Sequence, residues 1–130
     1  GGGVVFIRAQ KALDSVDASG DEKLGVEIVR KALEYPARQI AINAGRDGAV
    51  TVAKIKEGKG GFGYDADKNE FCDLLKAGVI DPAKVSRCAL SNGASVAGLL
   101  LTTQCLVAKV PEKKQPPAGG GHHEHDYDDY

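Results

Sequence analysis

Apolar side chains along this chain recur mostly at three- and four-residue spacing, the period that puts them on one face of a helix. Phe6, Ala9, Leu13 and Val16 share such a face while Arg8, Lys11, Asp14 and Ser15 lie off it, which predicts an opening amphipathic helix broken at Ser19, Gly20 and Asp21. A second helix is predicted over residues 22–34, with Leu24, Ile28, Val29, Ala32 and Leu33 as its buried stripe. Pro36 ends that helix and suits the first turn of the next, because proline pushes its predecessor out of the α region while its own fixed φ fits a helix start. A short apolar helix over 37–44 follows, with Gly45 as the residue just past its end. Another helix is predicted over 48–56, where Val50, Val52, Ala53 and Ile55 are available for packing.

The glycine-rich stretch 58–63 reads as a connector into a short strand or hairpin at 62–65, and then an irregular or helical turn around 71–75. Asp81 is the candidate N-cap of a long helix, with Pro82 at its first position, where a missing N–H costs nothing. That helix passes through many small residues, among them Ala89, Gly93, Ala94 and Gly98, into Leu99, Leu100 and Leu101. Near Gln104 it gives way to an alternating run, Cys105 to Val110, which reads as a terminal β-strand stopped by Pro111. The fold class expected is mainly α, with a short β-hairpin and that last strand. One domain over 1–110 is expected, with a tail over 111–130 whose Pro, Gly and charge cannot offset the entropy of ordering the backbone.

Composition narrows the function classes. The 42% hydrophobic and 27% charged residues are those of a globular chain. Seventeen Lys+Arg against eighteen Asp+Glu give a formal charge of -1, so no basic footprint for nucleic acid and no polybasic membrane anchor is expected. The longest apolar run is far below the roughly 20 residues of a bilayer-spanning helix. Cys72, Cys88 and Cys105 are odd in number and show no CxxC pair, so they read as free thiols of a reducing compartment.

Four stretches are candidates for chemistry. Residues 58–63 satisfy GxGxxG, but that fingerprint works only between a strand and a helix N-terminus, and here it leaves a helix for a strand. Gly1-Gly2-Gly3 runs straight into a helix, as either a frayed end or a place where backbone closely approaches a ligand. Asp81 is a helix cap on its residues alone. In the tail, His122, His123 and His125 among Glu124, Asp126, Asp128 and Asp129 offer loose ligands for Zn²⁺, Ni²⁺ or Cu²⁺, or form a plain solvated acidic terminus.

The strings GGGVVFIRAQKAL (1–13), YPARQIAINAG (35–45), GFGYDADKNEFCDLLKAGVIDPAKV (61–85) and GVIDPAKVSRCALSNGASVAGLLLTTQCLV (78–107) together resemble the C-terminal segment of group I (GroEL-type, 60 kDa) chaperonins. The resemblance implies the C-terminal half of an equatorial, ATP-hydrolysing domain. It also implies that the chain is a fragment, with which its start at Gly1 and lack of Met agree.

By the same resemblance ATP is the cofactor. Gly2 lies against the nucleotide, Asp81 accepts from the ribose hydroxyls, Val79 and Ile80 offer apolar contact to the base, and Asp65-Ala66-Asp67 forms the turn that contacts adenine. That turn departs from the common Asn-Ala-Ala at two positions, so an amide donor is replaced by an acceptor-only carboxylate at Asp65. The water-activating aspartate and the loops for Mg and K ions and phosphate belong to segments absent here. No catalytic and no metal residue is therefore expected in this chain, and alone it should be inactive. Implied partners are identical subunits in stacked heptameric rings, a co-chaperonin lid and non-native polypeptide clients. The implied compartment is a bacterial cytoplasm or an organellar matrix or stroma. The rival reading is a small helical binding module with a metal-capturing His/Asp tail and no nucleotide function.

Overall fold

The computed structural model describes residues 1–110, so the expectations for the tail over 111–130 and its histidines lie outside the described residues. The elements run in the order α1 (Val4–Ala9), a 3-10 segment (Gln10–Ser15), α2 (Glu22–Ala32), α3 (Tyr35–Asn43), α4 (Gly48–Glu57), β1 (Phe62–Asp65), β2 (Glu70–Asp73) and α5 (Ala83–Leu101). The architecture is mainly helical with one antiparallel hairpin, as the pattern predicts.

The core lies where α1, α3, α4 and the hairpin meet. Val4, Ile7, Ala37, Ala41, Val52, Ile55, Tyr64 and Leu74 form one buried cluster, with Phe71, Cys72 and Val79 packed at its margin. Alanines at 37 and 41 let α3 lie close to its neighbours. Gly45, at φ 75, reverses the chain after α3, and the Asp47 carboxylate caps α4 by accepting from the N–H groups of Ala49 (2.8 Å) and Val50 (3.0 Å). Those two bonds favour the ionised form and hold the Asp47 pKa below the usual carboxylate range. Arg8 ties α1 to the far end of α4: its guanidinium donates to the carbonyls of Ile55 (3.0 Å), Gly60 (3.1 Å) and Phe62 (3.1 Å). The helix end and the glycine connector thereby gain acceptor partners, which fixes where the hairpin starts.

In the hairpin, Phe62 pairs with Asp73, Gly63 with Cys72, Tyr64 with Phe71 and Asp65 with Glu70. Tyr64 and Phe71 rings sit 5.3 Å apart as a cross-strand aromatic pair. Here the expected irregular or helical turn around 71–75 is corrected: residues 70–73 are strand, because pairing with β1 outweighs the weak local preference of Glu-Phe-Cys-Asp.

Three other expectations fail. The first helix stops being α-helical at Ala9 and tightens to 3-10, leaving Val16 beyond it and half exposed. The stripe predicted on the second helix is buried only at Leu33, the residue just past the end of α2, which is 4% exposed: Leu24 and Ile28 are 64% and 68% exposed, and α2 itself contributes no buried residue. The periodicity marks a face that gains from cover, while nothing among the described residues covers it. The terminal strand over 105–110 does not form either, since no described edge pairs with it and an unpaired strand leaves its ladder groups unmet. Likewise α5 buries Ser86 alone and exposes Val85, Val96 and Leu99.

The junction of α2, α3 and α4 is polar and carries a pH dependence. Glu34 accepts from Lys56 Nζ at 2.6 Å and Gln10 Nε2 at 3.3 Å, with Arg38 Nη2 at 3.7 Å. Partial burial pushes the Glu34 pKa up, but the bonds from Lys56 and Gln10 and the charges of Lys56 and Arg38 outweigh it, so the net shift is down from the ordinary 4.5. A depressed carboxylate pKa adds stability that is present above that ordinary value and is lost as pH falls through the native one. Glu34→Gln should therefore flatten the acid side of the stability profile relative to the parent in urea titrations below about pH 5. A variant profile parallel to the parent's there would remove Glu34 from the account.

Candidate functional site

Three chain segments converge at the start of α1. Gly1 is packed so closely on the Val79 carbonyl that a side chain there would collide with it and with Ile80 N. Gly2 has φ 62, and a Cβ on it would stand 2.8 Å from Leu74 Cδ1 and 3.4 Å from the Tyr64 carbonyl oxygen. Gly3 has φ 73 and would press its Cβ on the backbone of Ala37, 2.6 Å from its nitrogen. The triplet is thus a bare backbone ridge wedged between the segment after β2, the strand β1 and the first turn of α3. At Gly2 and Gly3 the left-handed φ and the close approach together call for glycine, and at Gly1 the close approach alone does.

Asp81 borders this ridge. Its Oδ2 lies 3.7 Å from Gly1 N, and its side chain is 51% exposed. The expected cap is corrected: α5 starts at Ala83, Pro82 is its N-cap with ψ 127, and no side chain caps it. The first-turn N–H groups of Val85 and Ser86 instead reach the Pro82 carbonyl, so the Asp81 carboxylate stands one residue too early to cap. It is left with acceptor capacity toward solvent and the glycines.

The turn after β1 is the third part. Asp65 is 4% exposed, and its Oδ1 accepts from the backbone N–H groups of Asp67 (3.0 Å) and Lys68 (3.3 Å). Its carboxylate therefore builds the turn from inside, while Ala66 and Asp67 stand exposed at the tip. Asn69 closes the turn at φ 57, a left-handed conformation that asparagine tolerates better than most residues. Its Oδ1 accepts from Tyr64 Oη at 2.8 Å and from Arg46 Nε at 2.6 Å.

Gly2, Asp81 and the Tyr64–Asp65 end of β1 thus come to one region of the surface, through Gly2 against Tyr64 and Gly1 against Val79, Ile80 and Asp81. Arg46 and Asn69 were not singled out in the sequence. The Asp-Lys-Asn run is a turn signal that points to Asn69, but nothing local points to Arg46. The region is a wall without a facing wall among the described residues. A concave space of about 560 Å³ lies elsewhere, along Ala83, Lys84, Arg87, Cys88, Ser91 and Asn92 of α5, and is open to solvent.

Among the described residues no group of three or more His, Cys, Asp or Glu side chains is placed to hold a metal ion. Cys72 is half-buried, and desolvation with the nearby Asp65 and Glu70 charges raises its pKa, which keeps it a thiol.

The family description TCP-1/cpn60 chaperonin family matches residues 1–111, which takes in every element above. A match over most of the 130 residues settles the kinship: the chain belongs to the TCP-1/cpn60 chaperonin family.

Proposed function

We propose that this chain supplies one wall of the ATP site of a ring chaperonin that encloses non-native polypeptides and assists their folding. The observation that carries the proposal is a bare glycine backbone that lies against the Tyr64 end of β1 at Gly2 and beside the Asp81 carboxylate at Gly1. A backbone without side chains permits close approach of a phosphate-bearing ligand, and an exposed carboxylate can accept from vicinal hydroxyls. Ala66 and Asp67, at the exposed tip of the turn, are the groups that can meet the base. The mainly helical build with a single hairpin agrees with the C-terminal half of a chaperonin equatorial domain.

On this reading ATP turnover belongs to the assembled subunit, in which Mg and K ions and the phosphates are held by other segments and the water-activating aspartate lies outside this chain. The same reading extends to identical subunits in stacked seven-membered rings, a co-chaperonin lid, and residence in a bacterial cytoplasm. The exposed faces of α2 and α5 support it, since both are apolar surfaces of a chain that gains from cover.

The test is photolabelling of the intact subunit with an azidoadenine analogue of ATP, followed by peptide mapping. Label on residues 64–67 or 79–80, competed by ATP, is the expected result. Competable label confined to peptides outside this chain's three segments would overturn the assignment of the wall.

A further inference from the structure

We propose that Asn69 and Arg46 are positioning residues that hold the turn over 65–69 in one conformation, and that they thereby strengthen binding of the nucleotide base without touching it. This rests on the nucleotide-site reading given above. A two-stranded hairpin is marginally ordered by its own ladder, so an exposed tip that must meet a ligand loses affinity to its own ordering entropy unless other groups fix it. Here the tip is fixed twice.

From inside, the Asp65 carboxylate takes the N–H groups of Asp67 and Lys68. From outside, Asn69 Oδ1 takes one hydrogen bond from Tyr64 Oη and one from Arg46 Nε, which uses both lone pairs of that oxygen. Arg46 sits in the loop between α3 and α4, so its bond ties the hairpin tip to the helical body. Tyr64 is 3% exposed, and it carries the tie inward, because its own carbonyl faces Gly2. The tip and the helix pair are thus linked through one side-chain oxygen, and Tyr64, bonded to that oxygen, packs its backbone against the glycine ridge. The bond from Arg46 is charge-assisted, which makes it the stronger of the two.

The experiment measures calorimetric affinity of the intact subunit for two probes, ATP and ribose 5′-triphosphate, which lacks the base. Asn69→Gly keeps the left-handed backbone and removes the acceptor, Asn69→Asp keeps both, and Arg46→Ala removes the tie to the helices. Asn69→Gly and Arg46→Ala should each bind ATP about tenfold more weakly with base-free triphosphate unchanged, while Asn69→Asp should stay near the parent. ATP affinity unchanged in the first two variants, or an equal loss for both probes as from general distortion, would overturn the positioning role alone. A parent subunit that binds neither probe would overturn the nucleotide-site reading, and this inference with it.

Discussion

Asp81→Asn in the intact subunit is expected to lower ATP affinity by about one to two orders of magnitude while leaving the melting temperature where it was. A hydrogen bond to a charged acceptor is worth roughly 1.5 to 3 kcal/mol, and each 1.4 kcal/mol is a factor of ten in a dissociation constant. The stability half of the expectation follows from the helix start. Because Pro82 occupies the N-cap and no side chain caps α5, removing the Asp81 carboxylate takes nothing from the helix. Asp81→Ala should then match Asp81→Asn in both respects, with a stability change of about 0.5 kcal/mol or less, the range of an exposed position without a structural duty. Isothermal titration with ATP and thermal melts of the three proteins decide it. Equal affinities throughout would strip Asp81 of its ribose role, and a selective drop in the melting temperature of the alanine variant would restore the cap.

Local rules found the parts of this fold that local forces set. The reversal at Gly45 and the extent of α4 depend on one or two residues' backbone preferences, and these are written in the sequence, whereas α3 starts at Tyr35, ahead of the expected 37 and with the residue before Pro36 helical. The first strand was found for the same reason, between a glycine run and a turn. What the pattern could not supply is the presence of a partner. Leu24 and Ile28 fall at helical spacing and their helix forms, yet the face they make is exposed, because periodicity shows which side is apolar and not what lies opposite. The residues over 105–110 alternate as a strand does and lack an edge to join. Glu70 to Asp73 shows the converse, becoming strand because β1 is beside it.

The candidate site divides along the same line. Gly2, Asp81 and the turn at Asp65 came from motif resemblance. That they meet is tertiary information, carried by Val79 and Ile80 against Gly1 and by Tyr64 against Gly2. The side-chain chemistry then redistributes their roles. A buried Asp65 whose oxygen is engaged by its own turn is a builder of the turn, so what stands exposed there is the tip at Ala66 and Asp67. A single helix boundary, set one residue later than Asp-Pro suggests, frees Asp81 from capping.

Gly3→Ala is expected to destabilise the protein by about 2–5 kcal/mol, a large share of the roughly 5–15 kcal/mol that typical domains have. Two costs add. At φ 73 a Cβ meets its own backbone, worth roughly 1–2 kcal/mol for a residue in the left-handed region. That Cβ would also stand 2.6 Å from Ala37 N and 2.9 Å from Ala37 Cα, and since these are backbone atoms of α3, no rotamer change relieves the overlap. The helix must move, at a cost in the range of about 1–3 kcal/mol for overpacking. Gly20 is the control, because it too has a positive φ, 52, with nothing within 4 Å of its Cβ position. Gly20→Ala should show the conformational cost alone. Urea unfolding of the intact subunit and both variants separates the terms. Equal losses at the two positions would mean that α1 does not lie against Ala37 as described. A larger loss at Gly3 should come with weaker ATP binding wherever the overlap is relieved by the glycine ridge itself shifting, since that moves Gly2 relative to Tyr64.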